Sequence, residues 1–196
     1  MSIKAIKKGG MDFEPLDEGA YPARIYRIVH IGTVMGFQGQ MQNKVNIAFE
    51  FPTELKVFDP AKGEQPYVLS QDYTLSFHEK STLYKVIMAC DPTALKTDSE
   101  GFIEEYDVEK LLGKTCLVTV THKKGKEDKT YANIGNCTVM PKGMTCPEAI
   151  NETKVLNYDN FDHAFFMTLP QFLRDKITSS DEYKAMDKNE DEQIPF

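Results

Sequence analysis

The sequence predicts a mainly β protein on two observations: apolar and polar residues alternate in several segments, and one stretch between them has a helical period instead. The clearest alternation runs from Lys44 to Phe51, where one face carries Val45, Ile47, Phe49 and Phe51. The helical stretch is 78–90, where Leu83, Val86, Ile87 and Cys90 are spaced as on one side of a helix.

In chain order, strands are predicted over 20–31, 44–51, 67–77, 114–123 and 130–140, with loops at 32–43 and 52–66. The helical stretch lies between the third and fourth strands, and a short second helix over 107–112 is closed by Gly113. Three strands, a helical insertion and two strands is the order of a five-stranded OB-fold Greek-key barrel. Other small barrels and α+β folds share this order.

Four regions follow from these patterns. We expect an irregular arm over 1–18, the barrel domain over 19–145, a linker and helical extension packed on the barrel over 146–186, and a disordered acidic tail over 187–196. The aromatic residues of 155–167 are predicted to lie across the barrel. Phe172 recurs with Leu169, Leu173 and Ile177 at helical spacing.

The acidic charge is concentrated at the end of the chain. The formal net charge is −7; residues 1–150 carry 18 basic and 20 acidic side chains, and residues 151–196 carry 5 and 10. A nearly neutral body can still carry a local basic surface, whereas an acidic tail repels nucleic acid. Net charge alone therefore does not indicate a nucleic-acid binder.

No pattern in the sequence indicates an enzyme, a cofactor or a metal site. The four cysteines form no CxxC pair and are expected to be reduced and mostly buried, as in a cytoplasmic protein. Walker-type phosphate loops, HExxH and GxSxG are absent from the sequence. No apolar run of about 18 residues predicts a membrane span, and the first residues do not resemble a secretory signal.

The end of the chain is the most specific feature. Acidic Glu190, Asp191 and Glu192 precede Ile194, Pro195 and Phe196, so an acidic tail ends in large apolar groups and a free carboxylate. Proline lowers the entropy lost on docking, and burying a phenylalanine contributes about 1.5–3 kcal/mol. This pattern is typical of a tip captured by a partner with a basic rim. An ordinary solubilising tail is the alternative.

The ending DEQIPF resembles the acidic tip of bacterial single-stranded DNA-binding proteins. The body resembles a family of phage-encoded single-stranded DNA-binding proteins in EGAYPARIYRIVHIGT, KVNIAFEF, YTLSFHEKSTLYKVI, LLGKTCLVTVTHKKGKEDKTYANI and LPQFLRDKITSSDEYKAM. The resemblance implies an OB-fold and sequence-independent binding of single strands in phage DNA replication, recombination and repair, within the host cytoplasm. It also implies recruitment of polymerase, helicase or primase, exonuclease or recombinase through the tip. Gln193 dilutes the acidic run, and the chain lacks the tryptophan on which many bacterial relatives stack bases.

OB-folds bind ligands across strands two and three and the loops joining strands one–two and four–five. Single-strand binders combine basic side chains with aromatic stacking residues. The predicted DNA contacts are therefore Lys44, Arg27, Tyr26, Tyr73, Lys123, Lys124, Lys126, Lys129 and Tyr131. Arg24 and Arg27 lie on opposite faces of a regular strand, so at most one is expected to serve.

Alternatives remain open at this point. The lysine-rich segment could be a solvated hairpin tip, since Glu127 and Asp128 lie within it, and Tyr73 could belong to the core. The whole protein could instead compete for host tip-binding sites without holding DNA, or be a nuclease or an annealing protein of recombination.

Overall fold

A curled antiparallel sheet forms the body of the protein. The computed structural model describes residues 14–36, 39–76, 78–93, 106–125 and 128–191, with only the backbone for 189–191. The strands are β1 (Gly19–Met35), β2 (Met41–Asp59), β3 (Gly63–Thr74), β4 (Thr115–Lys124) and β5 (Thr130–Thr138). They lie side by side in the order β3-β2-β1-β4-β5. The prediction of a mainly β protein is confirmed.

The main hydrophobic core lies on one face of this sheet. The alternation in β2 places Val45, Ile47, Phe49 and Phe51 there, all buried. Helix α1 (Thr82–Cys90) covers this face and is capped by Ser81, whose hydroxyl accepts the Tyr84 N–H at 3.1 Å. A 3-10 turn over Val108–Leu111 replaces the predicted short helix, and Gly113 after it has a φ of 78°.

The segment 52–66, predicted as a loop because of its prolines, is mostly strand. β2 continues to Asp59 and β3 begins at Gly63, so the two form a long hairpin. The pairing register shifts between Phe51 and Leu55, next to Pro52, and such an irregularity accommodates a proline within a strand. β1 likewise runs past its predicted end at Ile31 to Met35, with a register shift at Gly32.

The C-terminal extension packs on the opposite face of β1 and forms a second core. It comprises β6 (Lys154–Leu156), α2 (His163–Thr168), α3 (Gln171–Ser179) and α4 (Asp181–Asp191). β6, which the sequence did not predict, pairs in parallel with Arg27–Val29 of β1. Phe165 and Phe166 are buried against β1, and Tyr158 and Phe161 pack beside them, so these aromatics lie on the sheet.

Helix α4 extends five residues into the segment predicted to be disordered. Ser180 caps its first turn by accepting the Tyr183 N–H at 3.2 Å. The Glu182 carboxylate accepts hydrogen bonds from Thr33 N at 2.6 Å and Thr33 Oγ1 at 2.7 Å, which fixes this turn to β1. Because the costly first turn is held by tertiary contacts, helix formation continues to Asp191 despite the polar composition.

Candidate nucleic-acid interface

The β4–β5 hairpin projects beyond the start of β1. β4 pairs with β1 up to Val120, which lies opposite Gly19, and its later residues continue paired with β5. The base of this projection is fixed by the segment before β1. Glu18 Oε1 accepts the His122 N–H at 2.7 Å, and His122 Nε2 lies 2.8 Å from the Leu16 carbonyl oxygen.

The hairpin carries exposed cations at its tip. Gly125 N–H donates to the Lys129 carbonyl at 2.8 Å, and Asp128 adopts a φ of 56° in the turn. Lys124 Nζ lies 4.0 Å from Asp128 Oδ1, but both side chains are strongly exposed, so this ion pair contributes little. Lys129 is exposed at the same turn, and the predicted contact Lys126 lies outside the described residues.

Tyr131 presents a half-exposed ring beside these cations. It lies directly opposite Lys123 in the β4–β5 ladder, and its exposed fraction is 49%. A Cβ atom on Gly125 would come within 2.5 Å of the ring, so the absence of a side chain there lets the ring pack onto the turn. Lys123 is exposed and makes no ion pair with any described residue. The Tyr131 ring and the Lys123 ammonium group therefore lie side by side, and both are accessible to a ligand.

The strand face that carries this pair has no carboxylate among its described residues. Val118 and Val120 of β4 point into the core, so Lys123 points away from it. The neighbours on this outward face are neutral and polar: Thr119, Thr121, Asn133 and Asn136. A polyanion approaching the face would therefore meet cations and hydrogen-bonding groups, with two carboxylates at its border: Glu18, which accepts the His122 N–H, and Asp128 of the turn.

A β-bulge changes the predicted geometry of Arg24 and Arg27. Arg24 lies opposite Glu50 and Arg27 opposite Ala48, with an irregularity at Tyr26 between them. Residues opposite each other share a face, and Ala48 and Glu50 are two apart on one strand. Both arginines therefore point to the same side of the sheet, opposite to the main core.

Only one of these arginines is held by an anion. Arg24 Nε lies 3.7 Å from Oε1 of the fully buried Glu50, and Arg24 Nη2 donates to the Pro147 carbonyl. Glu50 Oε2 also accepts the Asn151 N–H at 2.8 Å, so the pair anchors the linker before β6. Arg24 is thus a structural residue, whereas Arg27 makes no ion pair within the described parts of the chain.

Arg27 and Tyr26 form a small site of their own. The Arg27 guanidinium carbon lies 5.7 Å from the Tyr26 ring centroid, and Arg27 Nε is buried without a hydrogen-bond partner among the described residues. Burial raises the pKa of Tyr26. The positive charge of Arg27 lowers this pKa, and the negative charge of Glu50 raises it further. The Tyr26 ring is only partly exposed, so it supports the guanidinium rather than offering an open stacking face.

Two predicted contacts lie elsewhere. Tyr73 is only 2% exposed and packs in the main core, so the prediction that it stacks on bases is wrong. Its strand places it opposite Val45, on the face that α1 covers. Lys44 lies on the outward face but opposite Gly32, while the lysine hairpin extends from Gly19 at the other end of β1. The structure therefore does not bring Lys44 together with the hairpin.

Phe172 was predicted to share the apolar side of a helix, but it is 54% exposed. Leu173 and Ile177 are the buried residues of α3 and belong to the second core. The sequence signal was ambiguous, since helical spacing places Phe172 and Leu173 both close to the apolar side of the helix.

The tail is only partly described. Glu190 and Asp191 lie at the end of α4, and Glu192, Ile194, Pro195 and Phe196 lie outside the described residues.

Reactive chemistry is not indicated by the residues that the structure describes. No group of three His, Cys, Asp or Glu side chains among them could hold a metal ion. A hydrogen bond with Cys116 and burial both raise the pKa of Cys137, which keeps this thiol neutral. None of the described helices has the length and apolar character needed to cross a membrane.

In comparisons with known proteins, no family model and no curated protein matches the chain.

Proposed function

We propose that this chain binds single-stranded DNA without sequence preference and recruits other DNA-processing enzymes through its C-terminal tip. The observation that carries the proposal is the half-exposed ring of Tyr131 beside the unpaired Lys123 ammonium group, on a strand face without carboxylates. An aromatic ring stacks on any base, and cations follow the phosphates, so the pair suits unpaired strands of any sequence.

The geometry favours single strands over duplex DNA. Stacking on Tyr131 needs a base whose face is free, and in a duplex both faces of each base are covered by neighbours. The lysines would attract both forms, whereas the ring adds affinity for the single strand alone. The expected preference for single strands therefore depends on one side chain that can be changed.

An OB-fold barrel is the architecture that we infer for the body. The order β3-β2-β1-β4-β5, with α1 between β3 and β4, supports it. β3 and β5 line opposite sides of a cavity of about 70 Å³ beside α1, as expected where such a sheet curls towards closure. In OB-folds the loop between strands four and five borders the ligand, which agrees with a role for the lysine hairpin.

Recruitment is proposed from the sequence of the tip. Phe196 and the preceding acids suit an apolar pocket with a basic rim on a replication or recombination enzyme. α4 fixes the start of this tail to β1 through Glu182 and Thr33, at the far end of the strand from the lysine hairpin. The two activities would therefore use separate parts of the molecule, without any catalytic step in this chain.

The test is a fluorescence anisotropy titration of the full chain with a single-stranded oligonucleotide and with its duplex, each at two salt concentrations. We expect the single strand to bind more tightly and its log affinity to fall with log salt by about 0.7 per phosphate contacted. Equal affinity for the two forms would contradict the stacking role, and no binding at low salt would leave a protein that acts through its tip alone.

A further inference from the structure

The Tyr131 ring rests on a glycine. Within the described parts of the chain, this ring makes no hydrogen bond, no aromatic pair and no cation–π contact. A Cβ atom on Gly125 would lie 2.5 Å from Tyr131 Cε2 and 2.9 Å from Cδ2, so this edge of the ring fills the space of a side chain. No polar or aromatic partner thus fixes the ring, and the contact with Gly125 limits where it can lie.

The pairing of the hairpin brings Gly125 and the ring together. Lys123 and Gly125 are two residues apart in the chain, and Tyr131 lies directly opposite Lys123 in the ladder. Gly125 and Tyr131 are therefore diagonal neighbours on one face, which is within reach of an aromatic side chain. The Gly125 N–H donates to the Lys129 carbonyl at 2.8 Å, which closes the turn. Backbone pairing alone therefore places the glycine beside the ring.

The backbone conformation does not require a glycine at this position. The φ of Gly125 lies outside the left-handed region, unlike that of Gly113, which is 78°. Asp128 is the residue of this turn with a left-handed φ, of 56°. An alanine could adopt the backbone conformation of Gly125 without strain. The missing side chain therefore makes room for the Tyr131 ring and not for an unusual turn.

A ring that is placed before the ligand arrives binds at a lower entropic cost. Immobilising one freely rotating side chain on binding lowers affinity by about two-fold to ten-fold. Tyr131 is 49% exposed, yet its contact with Gly125 limits its orientations in the unbound protein. The contact therefore reduces the cost of stacking a base on this ring.

We propose that Gly125 is a positioning residue of the interface, which holds the Tyr131 ring in the orientation that accepts an unpaired base. This inference rests on the proposed function, because it explains how the same site prefers single strands. Gly125 acts through the ring and not through the lysines. Its effect is therefore confined to single strands and to a chain that carries a ring at position 131.

The experiment compares the full chain with G125A in anisotropy titrations with a single-stranded oligonucleotide and with its duplex. The added methyl group displaces the ring, so we expect G125A to bind the single strand about two-fold to ten-fold more weakly. Duplex affinity and the slope of log affinity against log salt should stay unchanged, because no lysine is moved. Disruption of the hairpin would instead lower both.

A double-mutant cycle separates action through the ring from damage to the hairpin. G125A should weaken binding in the Y131F background, which keeps the ring, and should have no effect in the Y131A background. Hydrogen exchange of the amide at position 125, which donates to Lys129, checks that the turn is retained.

Unchanged single-strand affinity in G125A would overturn the inference while the proposed function stands. An equal loss of affinity in the Y131A background would also overturn it, as would loss of amide protection at position 125 together with a lower salt slope. A failure of the unmodified chain to bind the oligonucleotide would show that the proposed function itself is wrong, before any variant is compared.

Discussion

Replacing Tyr131 with alanine is the sharpest perturbation of the proposed interface. The ring rests on Gly125 and is half exposed, so it has room for one base. One stacked base contributes about 1–3 kcal/mol, and each 1.4 kcal/mol is a factor of ten in affinity. We therefore expect Y131A to weaken binding of a single-stranded oligonucleotide by about five-fold to a hundred-fold in an anisotropy titration, and to weaken duplex binding little.

Y131F is the matched control. The Tyr131 hydroxyl makes no hydrogen bond to a described residue, so removing it should leave affinity unchanged while the ring remains. The folding cost of Y131A should be small, since an exposed cross-strand pair contributes about 0.2–1 kcal/mol. If Y131A binds the single strand as tightly as the unmodified chain, the ring does not stack on a base and the reasoning is refuted.

Three further predictions concern the cations, the linker and α4. The double variant K123A/K124A should lower the slope of log affinity against log salt by up to about 1.4, because each lysine contributes about 0.7 for one phosphate contacted. The slope is measured by titration at several salt concentrations, and an unchanged slope would show that the hairpin is not part of the interface. E50A should lower the free energy of unfolding by about 3–5 kcal/mol in urea, because Arg24 is left without its buried anion; a loss below about 1 kcal/mol would contradict the anchoring role. Burial opposes ionisation of Glu182, but its hydrogen bonds from Thr33 prevail and lower the pKa of this carboxyl group. The ionised carboxylate therefore stabilises the fold at pH values above the ordinary glutamate pKa of about 4.3. This stabilisation is lost as the pH falls through the lower pKa of the folded state. E182Q should therefore be about 1 kcal/mol less stable than the unmodified chain at pH 7, and a difference that persisted at pH 2–3 would count against this linkage.

Much of the sheet could be predicted because its strands are buried on one face. The alternation in β2 is direct evidence of such burial, and the structure places Val45, Ile47 and Phe49 where the pattern indicated. Glu50 in the same β2 segment is buried on the other face of the sheet. The alternation of apolar and polar residues alone would predict that Glu50 faces solvent. Its role depends on the linker at Asn151, which is distant in sequence, and no local pattern reveals such a contact.

Local rules failed where tertiary contacts decide the outcome. The prolines of 52–66 suggested a loop, but the β2–β3 ladder accommodates Pro52 and Pro66 at irregular or peripheral positions. β6 has three residues and exists because it completes the pairing of β1 beyond the end of β4. The helical end of α4 depends on a hydrogen bond from Thr33, far away in the chain.

The candidate site was predicted in part. The sequence identified the lysine hairpin and Tyr131 by their proximity in the chain, and the structure places Lys123 and Tyr131 side by side. The sequence could not distinguish a tyrosine on the surface from one in the core, and for this reason the prediction that Tyr73 contacts DNA was wrong. It also could not place Phe172, because the exposure of that ring follows from how α3 packs on β1.

Ultraviolet cross-linking of the full chain to a single-stranded oligonucleotide, followed by mass spectrometry of the linked peptides, tests the central claim most directly. The account predicts a nucleotide attached at Tyr131, on the β5 side of the hairpin, and loss of that link in Y131A. Nucleotides attached only within the groove between α1 and the end of β5, at residues such as Tyr84, would contradict it.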